Sequence, residues 1–228
     1  MEKLSNTLQP YKNVVGQAAS ILTIAQFFSG TFICKEIYHK KSTAGIPAVP
    51  FIGGLTIGIL MLKLALLMDD PAMLQVNIAA IILNTLYTAF YYFYSKDRYN
   101  EIWKPFSVAI GMMAVFLGYA SIEDPAQIEF RYSLLVTVLM LMLVGSPLMD
   151  VKGIIEKKDS SSIPFPLTFM GSIVSFLWLL YGIILMNIFM VVQNVIGLIL
   201  CMIQLWLVYK YPANPGQDEK QKKAAKIN

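Results

Sequence analysis

Hydrophobic residues in this chain are gathered into blocks instead of alternating with polar ones. Apolar runs cover 13–34, 47–68, 72–94, 105–121, 132–151, 164–186 and 188–209, separated by short charged or proline-bearing stretches. A helix needs roughly 20 apolar residues to cross a hydrocarbon core about 30 Å thick, so the runs predict seven transmembrane helices. Backbone groups in lipid must bond within their own segment, and the runs lack the alternation of membrane-barrel strands. An all-α membrane fold follows. Seven spans use about 140 residues, so no separate soluble domain fits within the 228 residues.

The breaks carry a charge pattern. Asp69-Asp70-Pro71 and Glu123-Asp124-Pro125 fall on one side, and lysine-rich stretches fall on the other. The loops 35–41, 96–104 and 152–158 hold three Lys or Arg each and the tail from Lys210 holds five, which places fourteen of eighteen on one face. Lys and Arg mark the cytoplasmic side, so the N-terminus (1–12) is expected outside or in a lumen, and the tail (211–228) in the cytosol. That tail is polar, with Pro, Gly and mixed charge, and reads as disordered.

Composition agrees: 57% of residues are hydrophobic and 14% charged, with a net charge of +4. The basic residues lie in clusters between apolar blocks, not in one patch, which argues against nucleic acid as a partner. Cys34 and Cys201 are the only cysteines and are read as structural thiols, not a secretory disulfide. Lys63 is the one basic residue inside a run; it either snorkels to the headgroups or serves function.

Sliding the sequence against itself by 117 residues places Ser146 on Ser29, Ile163-Pro164 on Ile46-Pro47, Met190 on Met73, Asn194 on Asn77 and Leu200 on Leu83, without a gap. The shift carries the first three spans onto the last three and leaves the fourth unpaired. Three helices related to three others across one linker helix share one orientation, a 3+1+3 arrangement of parallel repeats. The organisation predicted is a first triple-helix repeat at 13–94, a linker region with helix four at 95–129, and a second repeat at 130–210. A site midway between the halves is the expectation.

Asn77 and Asn194 lie about six residues into the third and seventh runs. An amide in lipid must find a partner, either a neighbouring helix or a ligand in a central cavity. Two equivalent copies favour the cavity, and a carboxamide that both donates and accepts suits the hydroxyls of a neutral sugar. Trp178 falls on Met61 under the same shift. Its ring is either an interfacial anchor or a wall on which a pyranose stacks, with Met61 a more flexible counterpart. Pro47 and Pro164 stand at the start of the second and sixth helices, and Pro147 near the end of the fifth, with Gly30 at the equivalent place in the first. Proline removes a helical bond and glycine loosens a helix, so the four form a candidate hinge set.

These residues, with Lys41-Ser42-Thr43-Ala44-Gly45-Ile46-Pro47 and Trp178-Leu179-Leu180-Tyr181-Gly182, are where the sequence resembles the SWEET (MtN3/saliva) sugar transporter family, as an animal-type member, over residues 13–212. The resemblance implies a central sugar site lined by the paired asparagines and by tryptophans from helices two and six. It also implies a proline tetrad near the cytoplasmic side that permits alternating access. Asn77, Asn194, Trp178, Pro47, Pro147 and Pro164 match; Met61 replaces one tryptophan and Gly30 replaces one proline. Asp70 and Asn187 stand where the family carries polar outer-gate residues.

The function this implies is gradient-driven, facilitative transport of a mono- or disaccharide such as glucose. The partners are the sugar and the lipid bilayer, and the resemblance extends to homo-oligomers and to the plasma membrane or Golgi. The chain shows no phosphate-binding glycine loop and no carboxylate pair in a run that would carry a coupling proton, and no cofactor or metal is expected. A PQ-loop transporter of another solute, such as an amino acid, is the alternative, but the chain has no Pro-Gln dipeptide. A rhodopsin-type receptor would carry Asn-Pro-x-x-Tyr in helix seven, which this chain lacks, and would not show the 3+1+3 repeat. Catalysis would need a cluster in the bundle, and the single histidine, His39, is placed in a cytoplasmic loop.

Overall fold

The computed structural model describes residues 1–145 and 148–212, without the side chains of 144, 145, 148–150 and 152. Pro147, one of the four candidate hinge residues, and residues 213–228 of the predicted tail lie outside the described residues. Among the described residues there are ten α-helices: α1 (Glu2–Leu8), α2 (Lys12–Phe27), α3 (Gly30–Lys40), α4 (Val49–Leu67), α5 (Pro71–Tyr94), α6 (Lys104–Ile122), α7 (Ile128–Gly145), α8 (Leu148–Lys157), α9 (Phe165–Ile184) and α10 (Ile188–Lys210). Among the described residues there is no strand. Six segments, Glu2–Lys40, Val49–Leu67, Pro71–Tyr94, Tyr99–Ile122, Phe165–Ile184 and Ile188–Lys210, are long and apolar enough to cross a membrane. α7 occupies the place of the fifth predicted span. Large apolar side chains such as Val14, Phe32, Val108, Val115 and Ile122 stand exposed along these helices, as lipid, not water, would require.

Three elements differ from the sequence expectation. Residues 1–12, read as a polar N-terminus with no element assigned, contain α1 and a 3₁₀ turn at Gln9–Tyr11. Seven residues are too few to show a period. The first span is two helices, broken at Phe28 and Ser29. His39, placed in a loop, sits exposed in the last turn of α3.

The chain forms two compact units, Pro10–Thr137 and Met1–Gln9 with Val138–Asn228. In the first, α4 and α5 pack closely because small residues allow it. A Cβ added at Gly54 would meet Asn84 Oδ1 at 2.5 Å, and one at Gly58 would meet Ile81 Cγ1 at 3.2 Å. A buried cluster including Ile37, Phe51, Ile52, Tyr87, Tyr91 and Ile102 holds α3, α4, α5 and the start of the fourth span together. A π-helical turn at Tyr99–Trp103 leads into α6. Where α6 ends, Glu123 accepts from the Tyr119 hydroxyl and from Arg131 Nη1 at 2.9 Å, tying the α6–α7 connection to α7. The Tyr119 hydroxyl, then the Arg131 guanidinium, lower the Glu123 carboxyl from its ordinary 4.5 to about 2.

In the second unit, α1 closes the exposed end of α9. Ser5 Oγ and Gln9 Nε2 both donate to the Ile184 carbonyl, at 3.0 and 2.9 Å. This is one of the carbonyls that a helix C-terminus leaves without a partner.

The 117-residue repeat is written in the backbone. Among the described residues, those other than glycine with left-handed φ are Lys41 and Lys158, at 51° each, and Asp69 and Met186, at 49° and 56°; both pairs are equivalent under the shift. At Asp69, α4 ends with the Asp70 amide donating to the Ala65 carbonyl at 3.1 Å, and at Met186, α9 ends with Asn187 donating to Gly182 at 2.9 Å. This is the six-residue closure of a Schellman C-cap, which needs a left-handed residue at that point.

Candidate functional site

Each candidate asparagine is placed by the turn that precedes its helix. In the first unit Asp70 ends the α4 C-cap and begins α5: its Oδ1 accepts from the Met73 amide at 2.8 Å, and Pro71 follows at the first helical position, where a missing N–H costs nothing. One turn on, Asn77 Nδ2 donates to the Met73 carbonyl at 2.8 Å. Asn77 is buried, and its Oδ1 accepts no hydrogen bond among the described residues. Half of the carboxamide is therefore committed to its own helix and half is left to accept.

The second unit repeats this ladder atom for atom. Asn187 Oδ1 accepts from the Met190 amide at 2.9 Å, and Asn194 Nδ2 donates to the Met190 carbonyl at 2.8 Å. Asn194 is half-buried, and its Oδ1 is likewise not bonded among the described residues. Asp70 and Asn187, tied to an outer gate by resemblance, are helix N-caps in this structure. Trp178 is half-buried on α9, and its ring meets that of Tyr181 edge-on at 5.7 Å. Met61, its equivalent, is half-buried on α4. Lys63 is also half-buried and makes no ion pair among the described residues.

The three described candidate hinge residues mark element boundaries. Gly30 opens α3 just after the break, and a Cβ there would lie 2.4 Å from Cε2 of Tyr87. Pro47 stands two residues ahead of α4, and Pro164 is the extended N-cap of α9. Both proline rings therefore fix the approach to a helix instead of interrupting one, a refinement of the sequence reading.

The sequence did not single out a polar node beside Pro47. Glu101 Oε2 accepts from Ser95 Oγ at 2.7 Å, Thr43 Oγ1 at 2.8 Å and the Tyr91 hydroxyl at 3.4 Å. Tyr91 also donates to the Ile46 carbonyl at 2.7 Å. Thr43, Ser95 and Tyr91 are buried, so the carboxylate satisfies groups that could not reach water. An open cleft of about 650 Å³ lies alongside, lined by Pro47, Val49, Glu101, Lys104 and Pro105 among others. Only the presence of Glu101 within the basic loop 96–104, which also holds Asp97, hinted at this node. No group of three or more His, Cys, Asp or Glu suited to a metal occurs among the described residues.

Known proteins match this geometry. Residues 13–99 and 130–216 each match the family described as "Sugar efflux transporter for intercellular exchange", and the second match begins at 130 against 13, the same 117-residue shift. "Sugar transporter SWEET1" of Drosophila pseudoobscura pseudoobscura is 30% identical over 201 residues, covering 87% of this chain and 89% of that protein. "Sugar transporter SWEET1" of Caenorhabditis elegans is 26% identical, covering 96% and 72%. A solved eukaryotic SWEET transporter superposes with a TM-score of 0.82 at 22% identity, over 91% of this chain and all of that one, which shows the 3+1+3 fold. With the family matched in both halves and its repeat present in the backbone, the chain belongs to the SWEET (MtN3/saliva) family of sugar transporters.

Proposed function

We propose that this integral, multi-pass membrane protein is a facilitative transporter carrying a neutral mono- or disaccharide down its gradient by alternating access. The observation that carries the reading is the repeated ladder from N-cap to asparagine. Two carboxamides occupy equivalent places in the two repeats, each held by its own helix and each offering an acceptor oxygen to a hydroxyl. In this reading Asn77 and Asn194 bind the sugar from the two halves, Trp178 stacks on its apolar face, and Met61 lends the opposite side a weaker contact. Gly30, Pro47, Pro147 and Pro164 permit bending, and Asp70 and Asn187 border the outer opening. The repeats at 13–94 and 130–210 act as the two moving halves, with 95–129 as linker. The lysine distribution supports a cytoplasmic C-terminus, in a plasma or Golgi membrane.

The test is uptake of radiolabelled glucose and sucrose into proteoliposomes by the intact chain, Asn77→Ala and Asn194→Ala. Saturable uptake that follows the gradient and falls at least tenfold in both folded variants is expected. Gradient-driven uptake of neither sugar by the folded wild-type protein would refute the reading.

A further inference from the structure

Helix one bends without a proline. At the break, Phe28 and Ser29 bond back three residues to Ala25 and Gln26, and Thr31 and Phe32 bond back three to Phe28 and Ser29. The donor that a continuous helix would bring to the Phe27 carbonyl is thereby diverted to Phe28. A proline would fix such a bend covalently; a glycine only permits it, and something else must hold it.

That something lies on α5. The Tyr87 hydroxyl donates to the Phe27 carbonyl at 3.2 Å, supplying the missing partner. Its ring fills the space that the absent Gly30 side chain leaves, with Cε2 2.4 Å from where a Cβ would sit. One turn along the same face, Tyr91 donates to the carbonyl of Ile46, the residue before Pro47. Tyr87 and Tyr91 are both buried, and both pack against Phe51, with ring centroids 5.4 and 6.4 Å away. Helix three thus grips both bend points of the first repeat through two hydroxyls. The equivalent positions in the second repeat are Gln204, which bonds to Thr168 at 3.4 Å, and Val208, which has no donor. The grip belongs to the half that carries a glycine in place of a proline.

We propose that Tyr87 and Tyr91 are positioning residues for transport: they set the geometry of the bends at Gly30 and Pro47, and Tyr87 supplies for Gly30 the constraint that a proline ring would supply by itself. This rests on the transport reading above. Wild-type uptake separates the two, because its absence sinks that reading, while unchanged variants in an active background sink only this one.

The variants Tyr87→Phe and Tyr91→Phe keep the rings and remove the hydroxyls. Each is expected to change the maximal transport rate about fivefold, the weight of one net hydrogen bond, with the KM for equilibrium exchange within twofold of wild type. Tyr99→Phe, on an exposed ring, serves as the control. A second readout needs no sugar. Cys34 packs against the cluster that holds Tyr87, so in a Cys201→Ser background its alkylation by a maleimide should quicken about fivefold in both variants. Tyr87→Leu should lose transport, and Gly30→Pro added to it should recover at least half, whereas Gly30→Pro alone should be inactive because its ring meets Tyr87. Wild-type rates and alkylation in both phenylalanine variants would overturn the proposal. So would failure of Gly30→Pro to rescue Tyr87→Leu, or an equal loss of folding in all of these variants.

Discussion

Replacing Glu101 tests how firmly the start of the linker helix is tied to the first repeat. Its Oε2 receives two short hydrogen bonds, from Ser95 at 2.7 Å and Thr43 at 2.8 Å, and a longer one from Tyr91 at 3.4 Å. Hydrogen bonds to a charged acceptor contribute about 1.5–3 kcal/mol each. Glu101 is itself only half-buried beside an open cleft, so water compensates in part and the low end applies, about 3 kcal/mol for the two short bonds. Glu101→Ala also strands hydroxyls on Thr43 and Ser95, which are 2% and 6% exposed. Glu101→Gln keeps one acceptor oxygen and should lose roughly half as much. At about 2–4 °C per kcal/mol for a chain of this size, the alanine variant should melt about 6–12 °C below wild type in detergent and the glutamine variant about half that far. Thr43→Val should be costly alone and add less than about 1 kcal/mol to Glu101→Ala, because the pair is coupled. A shift under about 2 °C for Glu101→Ala, or full additivity with Thr43→Val, would show that the node does not hold these elements.

Met186 sits at φ 56° at the end of α9, where a side chain is disfavoured and glycine is at ease; Met186→Gly should raise the melting temperature by about 1–3 °C, and a fall would mean that its side chain outweighs the backbone strain. Gly54→Ala would push a methyl to within 2.5 Å of Asn84 Oδ1 and should destabilise by about 1–3 kcal/mol, with Asn84→Ala restoring most of it in a double-variant melt. The Glu123 carboxyl is lowered from 4.5 to about 2 on folding, so what its ionised form contributes is complete above 4.5 and is lost as pH falls from there toward about 2. Glu123→Gln should flatten the melting-temperature profile in that acid window, and an unchanged slope would rule out the Tyr119–Glu123–Arg131 tie as a stabilising contact.

The seven spans were legible because lipid demands long apolar runs, and the asparagines because an amide in such a run is conspicuous. Gly30 was found by its equivalence to Pro147, yet its partner Tyr87 was invisible: one aromatic among many in an apolar run, meeting a residue fifty-seven positions earlier in the chain. Glu101 was hidden in the same way. It stands among Lys96, Arg98 and Lys104, so the loop reads as a basic topology signal, and its partners Thr43 and Tyr91 arrive from other elements. Only Ser95 is near in sequence, and a Ser six residues from a Glu carries no signature. The α1 helix escaped because its bonds, from Ser5 and Gln9 to Ile184, join the first element to the sixth span.

What the two halves repeat and what they do not has a physical pattern. The turn from α4 to α5 and the turn from α9 to α10 repeat down to single hydrogen bonds: a left-handed residue, an N-cap accepting from the third residue on, and an asparagine bonded back to that residue's carbonyl. A helix start exposes amides that must be satisfied in one of a few ways, and Asp70 and Asn187 do this with the same acceptor atom despite differing in charge. Side-chain contacts carry no such compulsion. Thr43 has a carboxylate partner, while its equivalent Ser160 is buried with its hydroxyl unbonded among the described residues. Phe51 meets Tyr87 through rings, while Thr168 meets Gln204 through a hydrogen bond. A pair that fills its volume and satisfies its polar atoms is stable either way. The backbone therefore keeps each asparagine at the same place within its own repeat, while the supports of the bends differ between the halves, and Tyr87 with Tyr91 is the support that only the first half possesses.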